Sequence, residues 1–406
     1  MAEQPALETV EQHLARVLDA LEPLEPLNVP LLDALGLEAA IDVRSEVALP
    51  GFDNSAMDGY AVIRADVAQA SEQSPVTLPV VGEIGAGQAD VREIAPGSVA
   101  KIMTGAPVPA GCDAVVPYEW TDRGVDQVVI RQAPKPHQHI RPAGEDVALD
   151  DLVIEAGTRL GPRHVGLLAA VGKPSVSCRP RPRVVVISTG SELRDAGTEL
   201  GHDSIFDGNS YLLAAAATAA GAQAYRVGIV PDEPEAFLAA LIEQSPRADL
   251  ILTSGGVSQG DWDVVKAALA PRGVWFGGIA MQPGKPQGFG LVDGVPVLTL
   301  PGNPVSAYLS FQMFGLPAIR KLMGRSPYAR PLVKAQLTND ISSPAGRRQL
   351  VRGEYAEDRT VATVGGYASH LIGDLAHANA IIVVPEDQTL VAAGEMVDVL
   401  LLDRDF

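Results

Sequence analysis

Leu7, Val10, Leu14, Val17, Leu18 and Leu21 recur at three- and four-residue intervals, which predicts an amphipathic helix over 6–21. Three prolines between Glu22 and Pro30 end it. From about 75 to 145 the rhythm shortens. "VTLPVVGEI", "SVAKIMTG", "DAVVPYEW" and "VDQVVIRQA" are short apolar runs broken by Gly and Pro, so a β-rich segment is expected. "LGPRHVGLLAAVG" (160–172) predicts a helix with Pro162 in its first turn. "CRPRPR" predicts an extended connection, because X-Pro steps disfavour helix.

Beyond it the apolar runs become continuous and alternate with helical segments. "RVVVIST", "YRVGIV", "DLILTS" and "VPVLTL" read as strands; "DGNSYLLAAAATAAGA", "DEPEAFLAALIEQ", "DWDVVKAALA" and "PVSAYLSFQMFGLPAIRKLM" read as helices. Uninterrupted apolar strands alternating with helices predict a doubly wound, mostly parallel sheet covered on both faces. The tail reverts to strands: "LVKAQLTNDI", "RQLVRGEYA", "TVATVGG", "NAIIVVP" and "EMVDVLLLD" suggest a small closed or sandwich-like β domain from about 330.

The chain has 406 residues, so more than one domain is expected. A net charge of −19 argues against a nucleic-acid partner, because phosphate backbones are held by Lys and Arg patches. A local cluster of cations can still bind a small anion. Two cysteines without CxxC spacing make a zinc site or a disulfide framework unexpected. No apolar run reaches 18 residues and the amino-terminal stretch is acidic, so a soluble, cytoplasmic protein with no membrane partner is expected.

Ligands of open parallel sheets bind beyond the carboxyl ends of the strands. Three such ends are rich in small and polar residues: Ser188-Thr189-Gly190-Ser191-Glu192, "TSGGVSQGD" (Thr253–Asp261) and "PGNP" (Pro301–Pro304). In the middle one, Gly255 and Gly256 expose backbone amides, Ser254 and Ser258 add hydroxyls, and a helix follows. The loop is either an ordinary strand-to-helix turn or an oxyanion site, and three candidate loops on one sheet edge favour the site. "MQPGKPQGFG" adds a cation, Lys285, in what reads locally as a turn. Asp261 and Asp263 suit either a helix cap or a metal. In the β-rich segment Lys101 and Thr104 lie beside a Gly-Pro turn, Arg141 lies near Glu145 and Asp146, and "PGFDNSAMDGYAV" sets Asp53 and Asp58 in a loop before an apolar run. Asp53 is expected to shape that turn.

"PGFDNSAMDGYAV", "KIMTGAPVPAGCDAVVPYE", "IRPAGED", "STGSEL", "DGNSYLL", "TSGGVSQGDWDVVK", "QPGKPQGFG" and "LPGNPVSA" follow in this order. In this series and over nearly its whole length the chain closely resembles the MoeA family of molybdopterin molybdenumtransferases, which includes the E domain of gephyrin. The resemblance implies insertion of molybdate into adenylylated molybdopterin with release of AMP, Mg2+ as cofactor, and a homodimer in transient contact with a molybdopterin adenylyltransferase. It also implies four domains: a discontinuous linking domain of extended α+β character (1–50 and 147–180), an inserted β-rich domain (51–146), an α/β domain like the molybdopterin adenylyltransferases (181–328), and a C-terminal β-barrel-like domain (329–406).

Carried onto this sequence, the resemblance makes Asp58 an acid of the active cleft and Thr104, Arg141 and Asp146 its polar neighbours. Glu192, Asp232 and Asp263 become acids of the α/β domain that handle metal and substrate. Ser188, Thr189, Gly190, Ser254, Gly255, Gly256, Ser258, Lys285, Pro301 and Pro304 would line the substrate site, with Arg352 and Ser369 as its C-terminal wall. In the family dimer the Asp58 loop would face the α/β domain of the second subunit. One departure is Gln282, where many members carry Lys; Arg347 or Arg348 would have to replace the missing cation. Three alternatives remain at this level: a tungstate-inserting paralogue, an adenylyltransferase resembling the α/β part alone, and a non-catalytic scaffold.

Overall fold

A computed structural model describes residues 7–87, 93–256 and 263–406. Contacts divide the chain into two compact units, one formed by the residues up to Leu27 and from Cys178 to Phe406, the other by Asn28–Ser177.

In the larger unit a six-stranded sheet runs in the order Gln223–Arg226, Arg183–Ser188, Leu250–Ser254, Val295–Leu300, Pro286–Val292, Trp275–Gly278. The first four strands are parallel and the last two join antiparallel. Alternation along the buried strands feeds two cores. Val184, Val186, Leu250 and Leu252 face one cluster, with Leu213, Leu309 and Phe314; Val185, Ile187 and Ile251 face the other, with Phe237, Leu241 and Val265. That is the burial expected of a sheet covered on both sides. The two antiparallel strands are legible only with the sheet in hand, because Gly288 and Gly290 interrupt the apolar pattern of Pro286–Val292. Each glycine sits where a Cβ would strike a neighbour: the Thr299 hydroxyl lies 2.3 Å from a Cβ at 288, and Val274 Cα 2.7 Å from one at 290.

The first helix is Val10–Asp19, shorter than the periodicity suggests, and it begins at a capping box between Thr9 and Gln12. Its Val10 and Val17 pack into the first cluster. The long carboxyl-side helix of the sequence reading is Pro304–Ser310, a π turn over Phe311–Gly315, and Leu316–Leu322, with Pro317 in its interior.

At the carboxyl end five strands close on themselves. Arg348–Tyr355 pairs with Thr360–Thr363, which leads through Leu332–Leu337, Met396–Leu401 and Ala380–Val384 back to Arg348–Tyr355. Its filling is aliphatic: Ala335, Val351, Val361, Ile382 and Val399.

The smaller unit holds a five-stranded sheet ordered Ala114–Pro117, Gly59–Val62, Val99–Ile102, Val76–Ile84, Gln127–Ile130. Its helix is Pro162–Ala170, starting at the proline as the sequence predicts. A Cβ at Gly59 would lie 2.0 Å from the Val116 carbonyl oxygen, so only glycine fits where these two strands meet.

Candidate functional site

In the smaller unit three loops gather. Asn54 pairs with Arg141 across a two-stranded ladder, and Ser55 exchanges backbone hydrogen bonds with Gly105 and Ala106. Asp53 Oδ1 accepts the Ala143 N–H at 2.7 Å. Asp53 therefore does more than shape its own turn; it ties the "IRPAGED" loop to the "PGFDNS" loop. Asp58 is exposed, and its Oδ1 accepts two donations from Thr104, from the backbone N–H at 2.7 Å and from the hydroxyl at 2.8 Å. These bonds, the backbone one first, hold its carboxyl below the usual aspartate range. Arg141 and Asp146 are also exposed, and the Asp146 N–H donates to the Leu49 carbonyl.

In the larger unit the sheet's carboxyl edge opens into two pockets of about 270 Å³ and about 910 Å³ that share Thr189, Glu192 and Gly255. Ser188, Ser254 and Pro304 line the smaller one. Gly190, Asp232, Gly256, Lys285, Pro301 and Ser369 line the larger. Asp232 braces the first loop, accepting from the Thr189 hydroxyl at 2.7 Å and the Ser191 N–H at 2.8 Å. Gly255 and Gly256 are left-handed, at φ +94° and +65°. A Cβ at Gly256 would meet Val265 Cγ2 at 2.6 Å. Ser258 and Asp261 lie outside the described residues.

Several contributors are invisible to spacing. Asn209 Nδ2 donates to Ser254 Oγ at 2.7 Å and to the Gly302 carbonyl at 2.6 Å, tying two strand ends to the start of a helix. Buried Asp207 accepts from the Ser210 hydroxyl at 2.6 Å and from the Ser188 hydroxyl at 3.3 Å. Both residues lie in "DGNSYLL", where the acid and amide just before a helix were the available signal.

The cations divide clearly. Lys285 lines the larger pocket beside Gln282 and Arg347, and Arg347 Nη1 lies 3.4 Å from Gln282 Oε1. Arg348 is committed elsewhere, to Glu11 at 2.6 Å and Glu386 at 3.1 Å. Of the two candidates to replace the missing lysine, Arg347 faces the basin. Arg352 is buried behind the wall rather than in its lining.

For a divalent ion the donors fit a shared rather than a protein-only site. Glu192 and Asp232 line the same basin. Asp263 Oδ1 caps the following helix through the Lys266 N–H at 3.4 Å, while its buried Oδ2 has no hydrogen-bond partner among the described residues. Burial pushes the Asp263 carboxyl up to about 6. No group of three or more His, Cys, Asp or Glu poised for a metal occurs among the described residues.

The MoeA N-terminal region (domain I and II) matches residues 8–172, a probable molybdopterin binding domain matches 185–321, and the MoeA C-terminal region (domain IV) matches 334–402. The chain is 45% identical to molybdopterin molybdenumtransferase 2 of Mycobacterium tuberculosis over 97% of its own length and 99% of that protein. The chain belongs to the MoeA family. A molybdopterin molybdenumtransferase of Haemophilus influenzae is 36% identical over 96% of this MoeA-family chain and 98% of that protein. Among solved structures, the molybdopterin biosynthesis moeA protein of Pyrococcus horikoshii superposes with TM-scores of 0.87 and 0.78 in two structures, at 30% identity, covering 98% of this chain and all of the other. No helix among the described residues is long and apolar enough to cross a membrane.

Proposed function

We propose that this chain is a transferase of molybdenum cofactor biosynthesis that inserts molybdate into adenylylated molybdopterin and releases AMP. The observation that carries the reading is the basin at the sheet's carboxyl edge. On a chain of charge −19 its lining brings together Lys285, Arg347, the Gly255-Gly256 turn and Ser369. Both substrates are anions, and these groups supply the local neutralisation they require.

Lys285 and Arg347 bind the tetrahedral oxyanion through charge-assisted hydrogen bonds, with the guanidinium able to engage two oxygens at once. The Ser369 hydroxyl orients it. The glycine amides and the Ser254 hydroxyl, whose proton is left available by the bond it accepts from Asn209, receive the pterin phosphate. Of the three acids, Glu192 and Asp232, which line the basin, would hold Mg2+, which would supply charge neutralisation at the phosphate oxygens. Asp58, kept ionised by Thr104, is assigned to orient water or take up a proton, a base's role rather than an acid's. Thr104, Arg141 and Asp146 support it. The same reading makes the protein a cytoplasmic homodimer that receives its pterin substrate from the adenylyltransferase, and keeps the four domains at the boundaries given above.

Purified protein supplied with adenylylated molybdopterin and isotopically labelled molybdate should yield label bound to the pterin. Label that remains wholly inorganic, with both substrates bound, would refute the assignment.

A further inference from the structure

The lysine of the basin is aimed by its hydrocarbon stem. Lys285 lines the larger pocket, and its ammonium has no ion pair among the described residues. A lysine side chain held by nothing polar samples many rotamers, so whatever confines its methylenes decides where the charge sits. That confinement lies over Gly278, in the edge strand Trp275–Gly278. A Cβ there would lie 2.7 Å from Leu7 Cδ2, 3.2 Å from Lys285 Cε and 3.7 Å from Lys285 Cγ. The leucine and the lysine stem thus crowd one point, and a side chain at 278 would displace one of them. Leu7 is carried there by its neighbour. Glu8 makes a parallel bridge to Ile279, with its N–H donating to the Gly278 carbonyl at 3.0 Å and its carbonyl accepting the Ala280 N–H at 2.7 Å. The Ile279 N–H in turn donates to the Lys285 carbonyl at 2.7 Å, which closes the 279–285 turn. The helix that follows is fastened as well. Thr9 and Gln12 form its capping box, and Glu11 pairs with Arg348, whose own N–H donates to the Ala280 carbonyl at 2.8 Å. Leu7 is half-buried, belongs to neither of the sheet's two core clusters, and does not line the basin.

We propose that Leu7 and Glu8 form a strap that positions Lys285, with Leu7 confining the lysine stem and so setting the reach of the ammonium into the basin. The inference rests on the reading of the basin as an oxyanion site. It makes Leu7 a positioning residue that acts on the anion through Lys285 and not by contact. The gain is preorganisation: rotamer freedom that the stem gives up on folding is not lost again when the anion binds.

Steady-state turnover of the full chain with molybdate and adenylylated molybdopterin separates positioning from plain packing. Leu7→Ala should raise KM for molybdate roughly tenfold, the scale of one charge-assisted hydrogen bond, and leave kcat and KM for the pterin substrate within about twofold. Leu7→Met, which keeps the volume, should retain the wild-type value. Gly278→Ala, whose methyl strikes both the leucine and the lysine stem, should raise KM for molybdate as Leu7→Ala does. The double variant should recover most of that loss, because the methyl at 278 enters the space that the leucine vacates. In a Lys285→Ala background, which itself raises KM for molybdate, Leu7→Ala should add little, since both act through one group. Melting curves should show every variant folded. An unchanged KM for molybdate in Leu7→Ala, a joint rise of both KM values, or additive losses in the Leu7→Ala, Gly278→Ala double variant overturns the strap. An unaltered KM for molybdate in Lys285→Ala overturns the reading of the basin instead, and the strap's role falls with it.

Discussion

Thr104 donates its backbone N–H and its hydroxyl to the same oxygen of Asp58, at 2.7 and 2.8 Å. An exposed carboxylate held this way stays ionised and fixed in direction, which suits a base and not a proton donor. Asp58→Asn should leave the melting curve unchanged and lower molybdate-dependent turnover by about a hundredfold, within the span of general-base effects. Turnover within a factor of two of wild type would remove Asp58 from the mechanism.

Thr104→Ala deletes the hydroxyl donor and leaves the backbone one. Because Asp58 has its carboxyl depressed in the folded protein by Thr104, loss of a donor moves it back up. The acidic limb of the activity–pH profile should therefore shift to higher pH in Thr104→Ala, with turnover at the plateau largely kept. A shift to lower pH would contradict the assignment.

Arg347 should carry the charge that Gln282 lacks. Arg347→Ala is expected to weaken molybdate binding by roughly tenfold to a hundredfold, the worth of a lost charged hydrogen bond. Gln282→Lys in that background should recover most of it. If Gln282→Lys restores nothing while both variants fold, the two positions do not share one anion site.

His13 is fully buried between Trp275 and Phe314, with ring centroids at 5.2 and 4.6 Å, and neither ring nitrogen has a hydrogen-bond partner among the described residues. Burial, its largest influence, lowers its pKa to about 4, against the partial opposition of Glu8. A folded pKa below the unfolded one means that the unfolded chain takes the proton first. The stability held by neutral His13 is thus full above about pH 6.5 and drains as pH falls toward about 4, by on the order of 3 kcal/mol. Melting temperature should fall across that window in wild type and more gently in His13→Phe. Parallel pH dependences would refute it.

Much of the architecture was legible because it rests on period and punctuation. The strand Val295–Leu300 coincides with its apolar run, and Pro162 marks a helix start. The antiparallel strands over 275–292 were not, because glycines at points of close approach break their pattern. In the site, the small-residue loops at three strand ends pointed to one basin. Position along the chain could not separate Arg347 from Arg348. Only the ion pairs of Arg348 with Glu11 and Glu386 do that.

The central claim is tested most directly by AMP release. Wild-type protein loaded with adenylylated molybdopterin and Mg2+ should release AMP when molybdate is added and retain the nucleotide without it, in a one-to-one ratio with metal gained by the pterin. AMP release at the same rate without molybdate, or metal-free pterin as the product, would contradict the account.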